Sequence, residues 1–248
     1  MNEALQTLEG WYIHQDFRSI DWPSWKLMSP EERQEAVDEL LSLYASWKET
    51  EERKEGSSGM FSILGHKADL LFMHLRPTLE ELNDIETQFN KTRFADVTLA
   101  GYSYVSVVEL SNYVASANKD PETNAYIQRR LKPIIPDRKH ICFYPMNKRR
   151  TDQNNWYMLS MDERREMMRS HGMIGRKYAG QVMQVIAGSI GFDDWEWGVT
   201  LFADDPLVYK KLIYEMRFDE VSARYSDFGN FLVGNKLSEE QLQTILKV

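Results

Sequence analysis

At 248 residues, with 42% of them hydrophobic, the chain can build one large domain or two ordinary ones around a core. Its formal charge of −8 excludes a general affinity for nucleic acid or acidic membranes, so an anionic ligand would need locally placed basic residues. The single cysteine, Cys142, excludes an intramolecular disulfide, and neither a leader pattern at Met1-Asn2-Glu3-Ala4 nor a run of roughly 18 apolar residues is seen, so a soluble cytoplasmic protein is expected.

Leu8 to Phe17 mixes Trp11, Tyr12, Ile13 and Phe17 with polar residues and reads as a strand. Ser29-Pro30-Glu31-Glu32 then announces a helix through an N-cap, a first-turn proline and a capping box, and Ala36, Val37, Leu40, Leu41, Tyr44 and Trp47 follow at helical spacing. The charged and then glycine-serine-rich stretch from Glu49 to Gly59 reads as a loop. Met60 to Leu64 and Asp69 to Leu75 read as strands, Pro77 to Asn90 as a capped helix, and Val97 to Leu110 as a strand. The order is β-α-β-β-α-β, the ferredoxin-like arrangement.

Asn112 to Lys139, with Pro121, Pro133 and Pro136 among charged residues, reads as a connector. The pattern then repeats. Ser160-Met161-Asp162-Glu163 parallels Ser29-Pro30-Glu31-Glu32, Ser189-Ile190-Gly191 parallels Ser62-Ile63-Leu64-Gly65, the helix at Pro206 to Met216 parallels the one at Pro77, and Arg217-Phe218 parallels Arg93-Phe94. Matches in one order imply duplication. The expected fold is α+β, two ferredoxin-like halves forming a dimeric α+β barrel: residues 1–110, a connector at 111–139, and a ligand-binding half at 140–248.

The chemistry concentrates between residues 141 and 184. On a strand from Ile141 to Lys148, Tyr144, Met146 and Lys148 would share one face. His171 lies near the expected end of the helix that follows, and Gln184 is an amide in an apolar strand, Val182 to Val185. Each has a bland reading. A histidine near a helix end can simply answer the helix dipole, a strand tyrosine or methionine packs, a lysine is solvated, and a buried amide makes a core hydrogen bond. Together they would place a metal ligand on one wall of a pocket and redox-capable groups on the other, which suits a heme.

The run Tyr144-Pro145-Met146-Asn147-Lys148, with Trp156-Tyr157, Arg169-Ser170-His171-Gly172 and Gln184, resembles the coproheme decarboxylase branch of the chlorite dismutase-like family over nearly the whole chain. The resemblance implies a peroxide-dependent oxidative decarboxylation of iron coproporphyrin III (coproheme) to heme b, in a cytoplasmic homopentamer served by the ferrochelatase that makes coproheme. It implies His171 as the axial iron ligand, Tyr144 as the residue oxidised to a radical, and Lys148 as its proton or propionate partner. Met146, Trp156, Gln184 and Trp197 would line the pocket, and Arg130, Arg217 and Ser222 would hold propionates, with Arg176 a weaker candidate. Gln184 stands where chlorite-decomposing members carry arginine. Because product must leave, a weak iron bond to His171 is expected. The rival readings are a chlorite- or peroxide-decomposing heme enzyme and a non-catalytic heme carrier or sensor.

Overall fold

The computed structural model describes residues 4–111 and 123–247. In chain order the elements are β1 (Thr7–Ile20), α1 (Trp22–Leu27), α2 (Pro30–Glu52), β2 (Ser57–Ile63), β3 (Leu70–Arg76), α3 (Leu79–Phe89), α4 (Arg93–Asp96) and β4 (Thr98–Ser111). After α5 (Ala125–Leu131) come β5 (His140–Lys148), one helical turn at Trp156–Met158, α6 (Met161–Arg176), β6 (Met183–Gly188), β7 (Trp197–Ala203), α7 (Leu207–Met216), α8 (Glu220–Tyr225), β8 (Ser226–Phe228), β9 (Leu232–Lys236) and α9 (Glu239–Leu246). The fold is α+β, with antiparallel strand pairing. Part of the expected connector, 112–122, lies outside the described residues. Among the described residues, no helix is long and apolar enough to cross a membrane.

The chain divides into two compact units. The amino-terminal unit comprises the described residues of Trp11–Val105, Pro133–Ile135 and Gly234–Val248. Its sheet pairs β3 with both β1 and β2, and β2 with β9. The stripe read from the sequence, Ala36, Val37, Leu40, Tyr44 and Trp47, is the buried face of α2, packed on Met60, Leu70 and Phe72 of the sheet. The tail belongs to this unit: Leu242 and Leu246 of α9 join the same core, and the Trp25 indole donates to the Leu246 carbonyl at 3.0 Å.

The expected loop at Glu49 to Gly59 is replaced by regular structure at both ends, since α2 runs to Glu52 and β2 starts at Ser57. Glycine permits this: a Cβ on Gly56 would fall 2.6 Å from the Leu75 carbonyl oxygen, and one on Gly59 would meet the Ile135 side chain at 3.0 Å. The polar composition marks close backbone approach here.

The carboxy-terminal unit comprises the described residues of Met1–Gly10, Ser106–Lys132 and Pro136–Val233. Here β7 lies between β5 and β6, β8 pairs with the far end of β5, and β6 pairs with the end of β4. Both halves keep the capping boxes expected of them, at Ser29/Glu32 and Ser160/Glu163, and turn on a left-handed glycine at Gly65 and Gly191. They part at the later helix: α3 carries a Thr78/Glu81 capping box, whereas α7 has Pro206 at its N-cap and no side-chain cap.

Candidate active site

Strand register assembles the site. In β5, Tyr144 stands opposite Val199 of β7, Met146 opposite Trp197 and Cys142 opposite Leu201. In β6, Gln184 stands opposite Leu201, Ile186 opposite Val199 and Gly188 opposite Trp197. On β8, Phe228 faces Met146 and Ser226 faces Lys148. Directly opposed residues share a face, so Tyr144, Met146, Lys148, Gln184 and Trp197 all point to one side of the sheet. Part of that face packs: Cys142, Val199 and Leu201, with Tyr144 and Met146 against them, meet Tyr209 and Leu212 of α7. Part stays open, where Gln184 is exposed and Ile186 is 38% exposed.

Tyr144 is held by aromatic neighbours, stacked on Phe231 with ring centroids 4.6 Å apart and tilted against Phe228 at 5.9 Å. Burial pushes its phenol well above the ordinary range, Cys142 adds to this, and the Arg217 guanidinium acts the other way. The group therefore stays protonated near neutrality. Lys148 is only 9% exposed. Its ammonium lies 4.7 Å from the centre of the Trp156 ring and donates to Ser226 Oγ at 3.1 Å. Burial draws its pKa down to about 8, against the opposing pull of Asp219 and Glu196.

His171 lies well inside α6, which continues to Arg176 beyond the expected end near Gly172. Its Nδ1 is 2.8 Å from Asp219 Oδ2, a carboxylate with 2% side-chain exposure, while the imidazole keeps 30%. Asp219 also accepts the Ser222 N–H at 3.2 Å. Burial opposes the Asp219 charge, but the His171 bond, the Ser222 N–H and Lys148 outweigh it and hold the carboxyl below its usual range. With Nδ1 engaged, Nε2 is the nitrogen left for a metal, the usual arrangement of a ligating histidine. Beside it, a Cβ on Gly172 would meet nothing within 4 Å. These residues fit an iron porphyrin: one oriented imidazole, open space next to it, and a sheet face carrying apolar side chains and an oxidisable phenol. Among the described residues, no group of three His, Cys, Asp or Glu could hold a metal by itself.

Arg217 caps α7 and lies 3.8 Å over the Phe228 ring, with no carboxylate paired to it among the described residues. Trp156 is buried against Val221 and Tyr225. Trp197 donates its indole N–H to Glu109 at 2.8 Å. Ser222 is buried in α8, where its backbone rather than its hydroxyl serves Asp219. Arg130 lies on α5 with its guanidinium 5.8 Å from the Tyr126 ring, and Arg176 is exposed at the end of α6; among the described residues no hydrogen bond or ion pair ties either to the β5 face. Sequence reading missed Asp219. Its signal was local, an N-cap three residues before Ser222, and only the fold brings it to His171.

A family model described as chlorite dismutase matches residues 24–237. The solved structure of a heme-binding protein from Thermus thermophilus is 49% identical and superposes with a TM-score of 0.96, over 100% of this chain and 99% of that one. A chlorite dismutase variant from Candidatus Nitrospira defluvii, in complex with cyanide, is 19% identical with a TM-score of 0.78 over 96% of each chain. A second variant from that organism is 20% identical, with a TM-score of 0.79 over 100% of each. At such identities the likeness carries the fold alone. With the family model spanning most of its length, the chain belongs to the chlorite dismutase family.

Proposed function

We propose that this protein binds iron coproporphyrin III and uses hydrogen peroxide to convert two of its propionates to vinyls, giving heme b. Heme-type binding is supported by the likeness to the Thermus heme-binding protein and by an imidazole whose second nitrogen is already bonded to Asp219. The observation that carries the reaction is the shared sheet face. It sets an oxidisable phenol and a buried amine on the same side as Gln184, where a chlorite-decomposing relative would carry arginine.

The bound iron porphyrin, reacting with peroxide, supplies the oxidising equivalents. Tyr144 gives up one electron and its phenolic proton, then takes a hydrogen atom from the propionate carbon next to the ring. Loss of a second electron from the propionate releases carbon dioxide and leaves the vinyl. Per propionate, one carboxylate, one peroxide and one proton yield one vinyl, one carbon dioxide and two waters. Lys148, with its pKa near 8, can hold the propionate as a cation and pass a proton within the working pH range. Arg217 offers a planar donor fork to a further carboxylate, which suits a substrate with four of them. Arg130 and Ser222 are proposed to hold other propionates, and Met146, Trp156 and Trp197 to line the pocket. Assembly as a homopentamer in the cytoplasm, and receipt of coproheme from the ferrochelatase that makes it, complete the proposal.

The test is mass spectrometry of the porphyrin after the protein, loaded with iron coproporphyrin III, is titrated with hydrogen peroxide beside Tyr144→Phe. Stepwise loss of two carboxyl groups by the native protein alone is expected. A bleached or unchanged porphyrin would overturn the proposal, and oxygen release from chlorite would replace it with the rival enzymatic reading.

A further inference from the structure

A buried carboxylate outside the predicted set gathers the far end of β5. Glu196 stands between Trp195 and Trp197 where the chain enters β7, and is almost wholly buried. Its Oε2 accepts the Lys148 N–H at 2.7 Å, and its own N–H donates to Asn147 Oδ1 at 2.7 Å, so it grips two successive residues of β5. Its Oε1 lies 3.9 Å from the exposed Arg150 guanidinium. Burial, and after it the Glu196 carboxylate, push up the phenol of Tyr157, next to Trp156.

A buried charge with so few partners is costly to keep, and a glutamine could accept the same N–H. What a glutamine could not supply is the charge. We propose that Glu196 is a positioning residue for the decarboxylation: its carboxylate fixes the end of β5 and keeps Lys148 cationic beside the substrate propionate. This rests on the reading of Lys148 given above. That ammonium touches the Trp156 ring and Ser226 of β8, and the Asp219 and Glu196 carboxylates favour its charge through the field they set up. Asp219 is bonded to His171 as well, whereas Glu196 also holds the lysine's own backbone.

The experiment follows lysine protonation directly, without substrate, by carbon NMR of full-length protein carrying labelled lysine side chains, with Lys148→Met assigning the signal. In Glu196→Gln the Lys148 midpoint should fall by about one pH unit. In Glu196→Asp, which keeps the charge but shortens the reach, the midpoint should stay closer to native while the Lys148 amide exchanges its hydrogen faster. An unmoved midpoint in Glu196→Gln overturns the charge role, and unchanged amide exchange in Glu196→Asp overturns the anchoring role. With coproheme bound, the pH at which turnover declines should move with the lysine midpoint. Native protein that titrates as expected yet leaves the propionates intact would refute the decarboxylase reading instead, so the two failures are distinguishable.

Discussion

Phe94 and Phe218 follow matched arginines in the two halves, yet Phe94 is fully buried and Phe218 is 75% exposed. The same contrast runs through the units that contain them. The amino-terminal unit buries every residue of β3 and five apolar positions of α2. In the carboxy-terminal unit, β6 leaves Met183, Gln184 and Ile186 exposed, and α6 buries only Arg164. One unit closes its sheet face with side chains and serves as scaffold; the other leaves part of that face open, where the proposed porphyrin would lie.

Three substitutions sharpen this contrast. The largest effect is expected for Tyr144→Phe, which should cut decarboxylation by about 100-fold or more while leaving the melting temperature close to native, because the ring that stacks on Phe231 is kept. Next is Leu40→Ala in α2, expected to cost about 2–5 kcal/mol in denaturant unfolding through the cavity it opens. Its counterpart Met183→Ala, exposed at the start of β6, should stay within about 0.5 kcal/mol, and an equal loss at both positions would break the comparison.

Lys148 gives a further prediction, through pH. Its folded value of about 8 lies below the ordinary 10.5, so the unfolded chain binds more protons between those values and stability should rise with pH across that window. The gain is bounded at about 3 kcal/mol. Lys148→Met should flatten the rise. Turnover should move the opposite way, declining above about pH 8 as the ammonium proposed to hold the propionate is lost.

Much of this was legible in the chain. Helical spacing marked the buried face of α2, the capping boxes marked the starts of α2 and α6, and alternation alone put Tyr144, Met146 and Lys148 together. What strand spacing cannot supply is pairing. That Gln184 shares the Tyr144 face, and that Ser226 and Phe228 close its end, depends on the register of β6, β7 and β8. Asp219 and Glu196 were illegible for a related reason: a lone carboxylate has no motif, and each matters through a partner 48 positions away, His171 and Lys148 respectively. At Gly56 to Gly59 composition misled, because glycine and serine serve tight packing as readily as turns.

The gentlest test compares two histidines. His171 keeps part of its ring in solvent, whereas His74 is buried in β3, directly opposite His14 of β1. Ser58 Oγ lies 3.0 Å from His74 Nδ1 and takes a hydrogen bond from the buried Arg76. Burial first, then the Arg76 and His14 charges, push His74 well below its ordinary 6.5. A depressed histidine means that the unfolded chain binds the extra proton, so its contribution is intact above pH 6.5 and drains away below it, at up to about 1.4 kcal/mol per pH unit. Urea unfolding of native protein and His74→Gln at pH 7, 6 and 5 reads this as a slope, which separates it from the fixed cost of altering a buried side chain. The variant should lose stability less steeply on acidification. Parallel slopes would mean that the closed half carries no acid-labile centre at His74, and the contrast with the open half would then rest on packing alone.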